Sequence, residues 1–183
     1  MAVAALAILV MLAIPAVHGA DVVNGFTCNT AQTITLTPGD DLATYQVPNT
    51  TYILPEGEYT VSFVSNTAAL CYIGQGSVIV GALSLTSFRS GAPLALKGLT
   101  LDGQQTGGIA VDVTTGRASL YAEDVVIQGF MQGAVQVIAA GQAYLKNVQF
   151  LSNQASGDHG AAIYGGAGPQ LVLDTVRVVT MML

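Results

Sequence analysis

The sequence predicts an all-β solenoid, a single-stranded parallel β-helix of about four to six turns. Three observations carry this. An eleven-residue pattern recurs four times between residues 91 and 178. Its apolar positions step by two, three and two, which is strand, corner, strand. No apolar pattern of helical period runs through residues 21 to 183.

The copies are GAPLALKGLTL from Gly91, RASLYAEDVVI from Arg117, AGQAYLKNVQF from Ala140 and GPQLVLDTVRV from Gly168. Positions 4, 6, 9 and 11 are apolar: Leu94, Leu96, Leu99 and Leu101; Leu120, Ala122, Val125 and Ile127; Ala143, Leu145, Val148 and Phe150; Leu171, Leu173, Val176 and Val178. A step of three would turn the second strand inside out unless the chain bends there. All four positions of each copy are therefore expected inside one common core. The copies start 26, 23 and 28 residues apart, and each gap has room for a third strand, at 107–113, 133–138 and 160–164. In such a stack, equivalent residues lie about 4.8 Å apart. Position 7 reads Lys97, Glu123, Lys146, Asp174. This alternation predicts an outward ion-pair ladder that penalises slipped registers more than it adds stability; coincidence is the competing reading. At position 5, Tyr121 and Tyr144 should stack outward, either holding a sugar ring or partner chain or simply packing across strands.

Upstream, TYILPEGEYTVSF (51–63) reads as strand, Pro-Glu-Gly turn, strand, and CYIGQGSVIVGALSLTSF (71–88) continues with strands and glycine turns. Residues 21–50 are left as an N-terminal cap or lead-in, and 51–183 as the β-helix. The first twenty residues have an apolar core broken by Pro15 and followed by Gly19 and Ala20, which reads as a signal peptide; an uncleaved anchor is the alternative. That places the protein at the cell surface or outside the cell. There, Cys28 and Cys71 are most simply a disulfide, against two buried free thiols. Asn49-Thr50-Thr51 is a glycosylation sequon, relevant in a eukaryotic secretory host.

With five basic and eleven acidic residues, a net charge of -6, the chain has no basic stripe for nucleic acid, and anionic polysaccharides would need a bridging cation. Two thiols and one distant histidine make no metal site, and no cofactor is implied.

The stretches ILPEGEYTV and CYIGQG resemble the opening of right-handed parallel β-helix proteins of the pectin-lyase-like superfamily. Residues 150–164 resemble the repeat of polymorphic outer-membrane proteins, marked by F-x-x-N and then G-G-A-[ILV]. Phe150 to Asn153 match the first mark; Gly160 to Ile163 match the second, with Ala161 in place of its second glycine. The resemblance implies right-handed coiling, with function running from surface adhesion to polysaccharide cleavage.

Cleavage of polysaccharide by hydrolysis needs two positioned carboxyl groups. Asp102 is followed at the equivalent position by Gln128, Leu151 and Val179, and Asp124 by Asn147 and Thr175. Asp158 and His159, in GDHG, are weak catalytic candidates beside a simpler reading as a loop of turn-forming residues. Asp158 and Asp112 could approach one another on neighbouring strands, but two carboxylates make a poor calcium site without carbonyl help. The expectation is therefore a secreted or cell-surface protein with a structural or adhesive role, whose partner is a glycan or surface protein. The alternative is a polysaccharide-active enzyme of pectate-lyase or polygalacturonase type, truncated or degenerate. The apolar ending VVTMML follows the last repeat directly, which suggests missing turns or an edge that self-associates.

Overall fold

The computed structural model describes residues 22–61, 69–81, 92–106, 108–113, 118–138, 140–155, 160–166 and 168–179. The chain is an all-β solenoid of about four turns, built from stacked parallel sheets. A two-stranded antiparallel hairpin, β1 (Val22–Val23) and β2 (Phe26–Thr27), precedes it. The solenoid follows as β3 (Thr33–Thr35), β4 (Thr50–Leu54), β5 (Gly57–Thr60), β6 (Leu70–Val80), β7 (Pro93–Thr106) and β8 (Val111–Val113). It continues with β9 (Ser119–Glu123), β10 (Val126–Phe130), β11 (Val135–Val137), β12 (Gln142–Lys146), β13 (Gln149–Leu151), β14 (Ile163–Gly165), β15 (Gln170–Asp174) and β16 (Arg177–Val179).

Three faces result. The first runs through β3, β4, the starts of β6 and β7, then β9, β12 and β15. The second runs through β5, the ends of β6 and β7, then β10, β13 and β16. The third is β8, β11 and β14. Parallel pairing already begins at β3, inside the stretch read as lead-in.

The bend between the first two faces has one physical cause. Position 8 of every copy takes a left-handed backbone: Gly98 at φ 62°, Asp124 at 56°, Asn147 at 50° and Thr175 at 54°. One such residue turns the chain sharply, so a step of three still leaves both flanking apolar residues inside. Glycine, Asp and Asn are the residues that tolerate this conformation best; the β-branched Thr175 does not, and its hydroxyl donates to Asp174 at 2.9 Å. Successive corners also bond to one another: the Asn147 amide donates to Asp124 Oδ1 at 2.6 Å. The corner of β6 is longer, and pairing jumps from Ile73–Lys97 to Ser77–Leu99. There Gly74 lies so close to the next coil that a Cβ would meet the Gly98 carbonyl at 2.6 Å.

The interior is filled in ladders. Tyr52, Tyr72, Leu96, Ala122 and Leu145 line one; Tyr59, Ile79, Leu101, Ile127 and Phe150 line another; all are buried. The coils with small Ala122 and Ala143 on the first face also carry Phe130 and Phe150, which keeps the volume filled. Each of the first three copies buries its four apolar positions. The fourth departs from expectation. Leu173 is 50% exposed and Val178 55%, because no described strand pairs with the far sides of β15 and β16. Their register is as expected, but no further described coil covers them. The third strands are shorter than the sequence windows, three residues each.

Two buried polar groups frame the energetics. Asn153 accepts from the Phe130 amide at 3.0 Å and donates to the Ile127 carbonyl at 2.8 Å, closing the second corner from the next coil. Replacement by alanine strands both backbone groups, and Asn153→Ala is expected to lower unfolding stability by about 1–3 kcal/mol in chemical denaturation. The Tyr72 hydroxyl has no hydrogen-bond partner among the described residues, and burial pushes its ionisation above the ordinary value. Tyr72→Phe removes that orphan while keeping the ring stacked on Tyr52. It is expected to raise stability by about 1 kcal/mol; a fall in melting temperature would show the hydroxyl to be satisfied.

Candidate functional site

The outer side of the first face carries most of the residues singled out by the sequence. The parallel register lays them out in three lanes along the solenoid axis. Position 3 gives Ser119, Gln142 and Gln170; position 5 gives Ala95, Tyr121, Tyr144 and Val172; position 7 gives Lys97, Glu123, Lys146 and Asp174.

Each lane bonds along itself. The Ser119 hydroxyl donates to Gln142 Oε1 and the Gln142 amide donates to Gln170 Oε1, both at 3.2 Å. Tyr144 ties the first two lanes together, its hydroxyl donating to Gln142 Oε1 at 3.2 Å. Lys146 Nζ donates to Glu123 Oε1 at 2.9 Å, with Lys97 Nζ 4.0 Å from the other carboxylate oxygen. Lys146 and Asp174 are in register, but the ammonium turns to Glu123. Tyr121 and Tyr144 stack at 4.8 Å with 4° between their planes. Burial, and then the neighbouring Tyr144, raise the ionisation of the Tyr121 phenol; a hydrogen bond with Ser119 opposes them.

The N-terminal hairpin closes over this face. Its Asn24-Gly25 turn has φ 45° and 89°, both left-handed, as the tight hairpin turn requires. Phe26 stacks on the free side of Tyr121 at 5.1 Å, so both faces of that ring are occupied. The Asn24 amide donates to Glu123 Oε2 at 3.0 Å, and Lys97 Nζ donates to the Val22 carbonyl at 3.2 Å. The Cys28–Cys71 disulfide fixes the strand's exit across a separation of 43 residues. Closing a loop of that length restricts the unfolded chain by about 4 kcal/mol in the entropic account. Ala95 and both half-cystines are buried beneath the hairpin in a small second core with Val23.

The structure thus gathers Cys71, Tyr121, Glu123 and Lys97 into one clasp. The ladder reading does not anticipate that role. The signal for it is Val22-Val23-Asn24-Gly25-Phe26-Thr27, an Asn-Gly pair between β-forming residues.

The other candidates lie elsewhere. Asn49 is exposed in a turn at φ 56°. With Phe26, Asn29, Thr50 and the two half-cystines, it lines a cavity of about 450 Å³. The third residue of the sequon, Thr51, is buried and donates to the Asn29 carbonyl at 2.7 Å. Asp158 and His159 fall outside the described residues, as do residues 1–20, read from the sequence as a signal peptide, and Arg117. Asp112 is in register with Gln136 and Tyr164 on the third face. At the second corner, Asp102, Gln104, Gln105, Gln128, Gly129 and Ser152 line an open cleft of about 270 Å³. No group of three or more His, Cys, Asp or Glu that could hold a metal ion occurs among the described residues. No described helix is long and apolar enough to cross a membrane. No protein-family model, curated protein or solved structure matches the chain.

Glu123 is the hub of the clasp, and its acidity follows. The Lys146 hydrogen bond first, then the Asn24 amide, hold its carboxyl below the ordinary 4.5. A depressed carboxyl contributes stability that is complete above the unfolded value and lost as pH falls through the folded one. Acidification below about pH 4.5 should therefore loosen the hairpin before the coils melt. The protection factor of the Asn24 backbone amide, its exchange measured against the intrinsic rate at each pH, should fall in that window in the native chain. In Glu123→Gln that protection should be lost already at neutral pH; a native protection factor that stays constant from pH 6 to about 3 would refute the hub role.

Proposed function

We propose that the chain is a secreted or cell-surface β-solenoid with a structural and adhesive role. The observation that carries this reading is the way its outward residues are used. On the first face, amide, aromatic and charged lanes are bonded coil to coil and then clasped by a disulfide-linked hairpin, an arrangement that rigidifies a surface. The disulfide suits an extracellular setting.

The resemblance to polymorphic outer-membrane repeats in Phe150–Asn153 and Gly160–Ile163 supports the adhesive side, and ILPEGEYTV supports a pectin-lyase-like ancestry. Against the enzymatic alternative stands the arrangement around Asp102. Its neighbour in the next coil is Gln128, which donates to it at 2.9 Å, where hydrolysis would require a second carboxyl group.

The test is incubation of the secreted full-length chain with polygalacturonate and with neutral polysaccharides. No reducing or unsaturated ends should be released. Retention on at least one immobilised polysaccharide, or on the secreting cell's own surface, is expected. Product release that scales with protein concentration would replace this reading with the polysaccharide-active enzyme.

A further inference from the structure

We propose that the second corner of the solenoid is a binding cleft for neutral saccharides, a site that rests on the adhesive reading above and gives it a ligand class. The cleft spans three successive coils: Asp102, Gln104 and Gln105 after the β7 corner, Gln128 and Gly129 in β10, and Ser152 after β13. Its volume of about 270 Å³ lies just below the range of pockets for drug-sized ligands, which suits a single ring of a longer chain.

The residues described as lining it are polar or glycine, and the central carboxylate is held in place. Asp102 Oδ2 accepts from Gln128 Nε2 at 2.9 Å, and Oδ1 accepts from the Gln104 amide at 2.8 Å. Each bond uses one acceptor position on its oxygen and leaves the other available to a ligand hydroxyl. An oriented carboxylate flanked by amides and a serine offers both acceptors and donors at fixed places, which is what a sugar's vicinal hydroxyls require.

The backbone here is irregular, because β7 carries two more residues than β10 between the pairs Asp102–Gln128 and Thr106–Phe130. Gln104 and Gln105 are consecutive non-glycine residues with left-handed backbone, at φ 50° and 58°, and both are exposed. Ser152 across the cleft is also left-handed, at φ 53°. Such conformations are disfavoured for L-residues, and they cluster at functional sites. Gly129, at φ 71°, forms the floor; a Cβ there would lie 3.2 Å from Asp102 Oδ1 and 3.3 Å from the Gln104 amide nitrogen. Glycine thus keeps the carboxylate uncrowded.

Charge selects the ligand class. Among its described lining residues the cleft holds a carboxylate and no Lys or Arg, in a chain of net charge -6, so uronates, phosphates and nucleic acids are repelled. One carboxylate falls short of the oxygen set a calcium ion takes. Neutral oligosaccharides satisfy the cleft without a counter-ion. The lanes of the first face bond to one another, whereas at this corner Asp102 keeps acceptor positions for hydroxyl groups.

The test is calorimetric titration of the full-length secreted chain with neutral gluco-, manno- and galacto-oligosaccharides of three to six units, and with galacturonate oligomers as the charged control. At least one neutral series should bind. Asp102→Asn and Gln128→Ala should each weaken that binding by about tenfold or more, while Gln170→Ala on the first face leaves it unchanged. Gln105→Ala, an exposed change that spares Asp102, gives a second reading where the other variants fold poorly, and should also weaken it. No binding by any neutral series, preference for galacturonate, or affinity that survives the cleft substitutions would overturn the proposal. Absence of binding would leave the non-enzymatic solenoid standing; that reading fails only on product release.

Discussion

The repeating part of this fold depends on one left-handed residue at the corner between the first and second faces of each copy. Gly98, Asp124, Asn147 and Thr175 hold that conformation in successive coils. It converts an apolar spacing that would otherwise point two strands in opposite directions into a closed interior. Because the corners repeat in register, every strand meets its equivalent in the next coil. The ladders of leucine, tyrosine, glutamine and charge all follow from that single turn. A side chain's role is then set by its position number: even positions 4 and 6 face inward before the corner, odd positions 9 and 11 after it.

This is why so much of the fold was legible in the sequence. The alternating apolar residues define the buried set in the first three copies, and position 7 defines the charge lane. Both signals are periodic, and a parallel stack converts period into contact. Where the reading fell short, the determining feature was not periodic. Leu173 and Val178 obey the pattern, but burial is a property of the neighbouring coil and not of the residue. The hairpin at Val22–Thr27 has strands of two residues, too short for alternation to register. Its Asn24-Gly25 turn was the only available sign. The cleft was harder still, since nothing in two adjacent glutamines announces a left-handed backbone; only Asp102 drew attention there, and as a lone acid.

The two outer regions show how one scaffold separates stiffness from recognition. On the first face, polar groups are consumed by their neighbours: Gln142 bonds to Ser119, Tyr144 and Gln170, and Glu123 to Lys146 and Asn24. Such a surface gains order at the expense of reactivity. At the second corner the chain is irregular, the lanes stop, and Asp102 keeps part of its accepting capacity. In a repeating structure, the places where the repeat is broken are the ones free to acquire chemistry.

The clasp also changes how the solenoid can come apart. In a stack of coils, each unit ordinarily touches only the units on either side, so disorder can travel one coil at a time. Here the hairpin is welded to β6 through Cys71, while its ring and amide contacts reach β9, two coils further along. Coils that share no backbone pairing are thereby made to move together. The N-terminal part should behave as a single cooperative block in place of a column of separable slices, resisting peeling under tension much as a stapled stack of sheets resists being leafed apart.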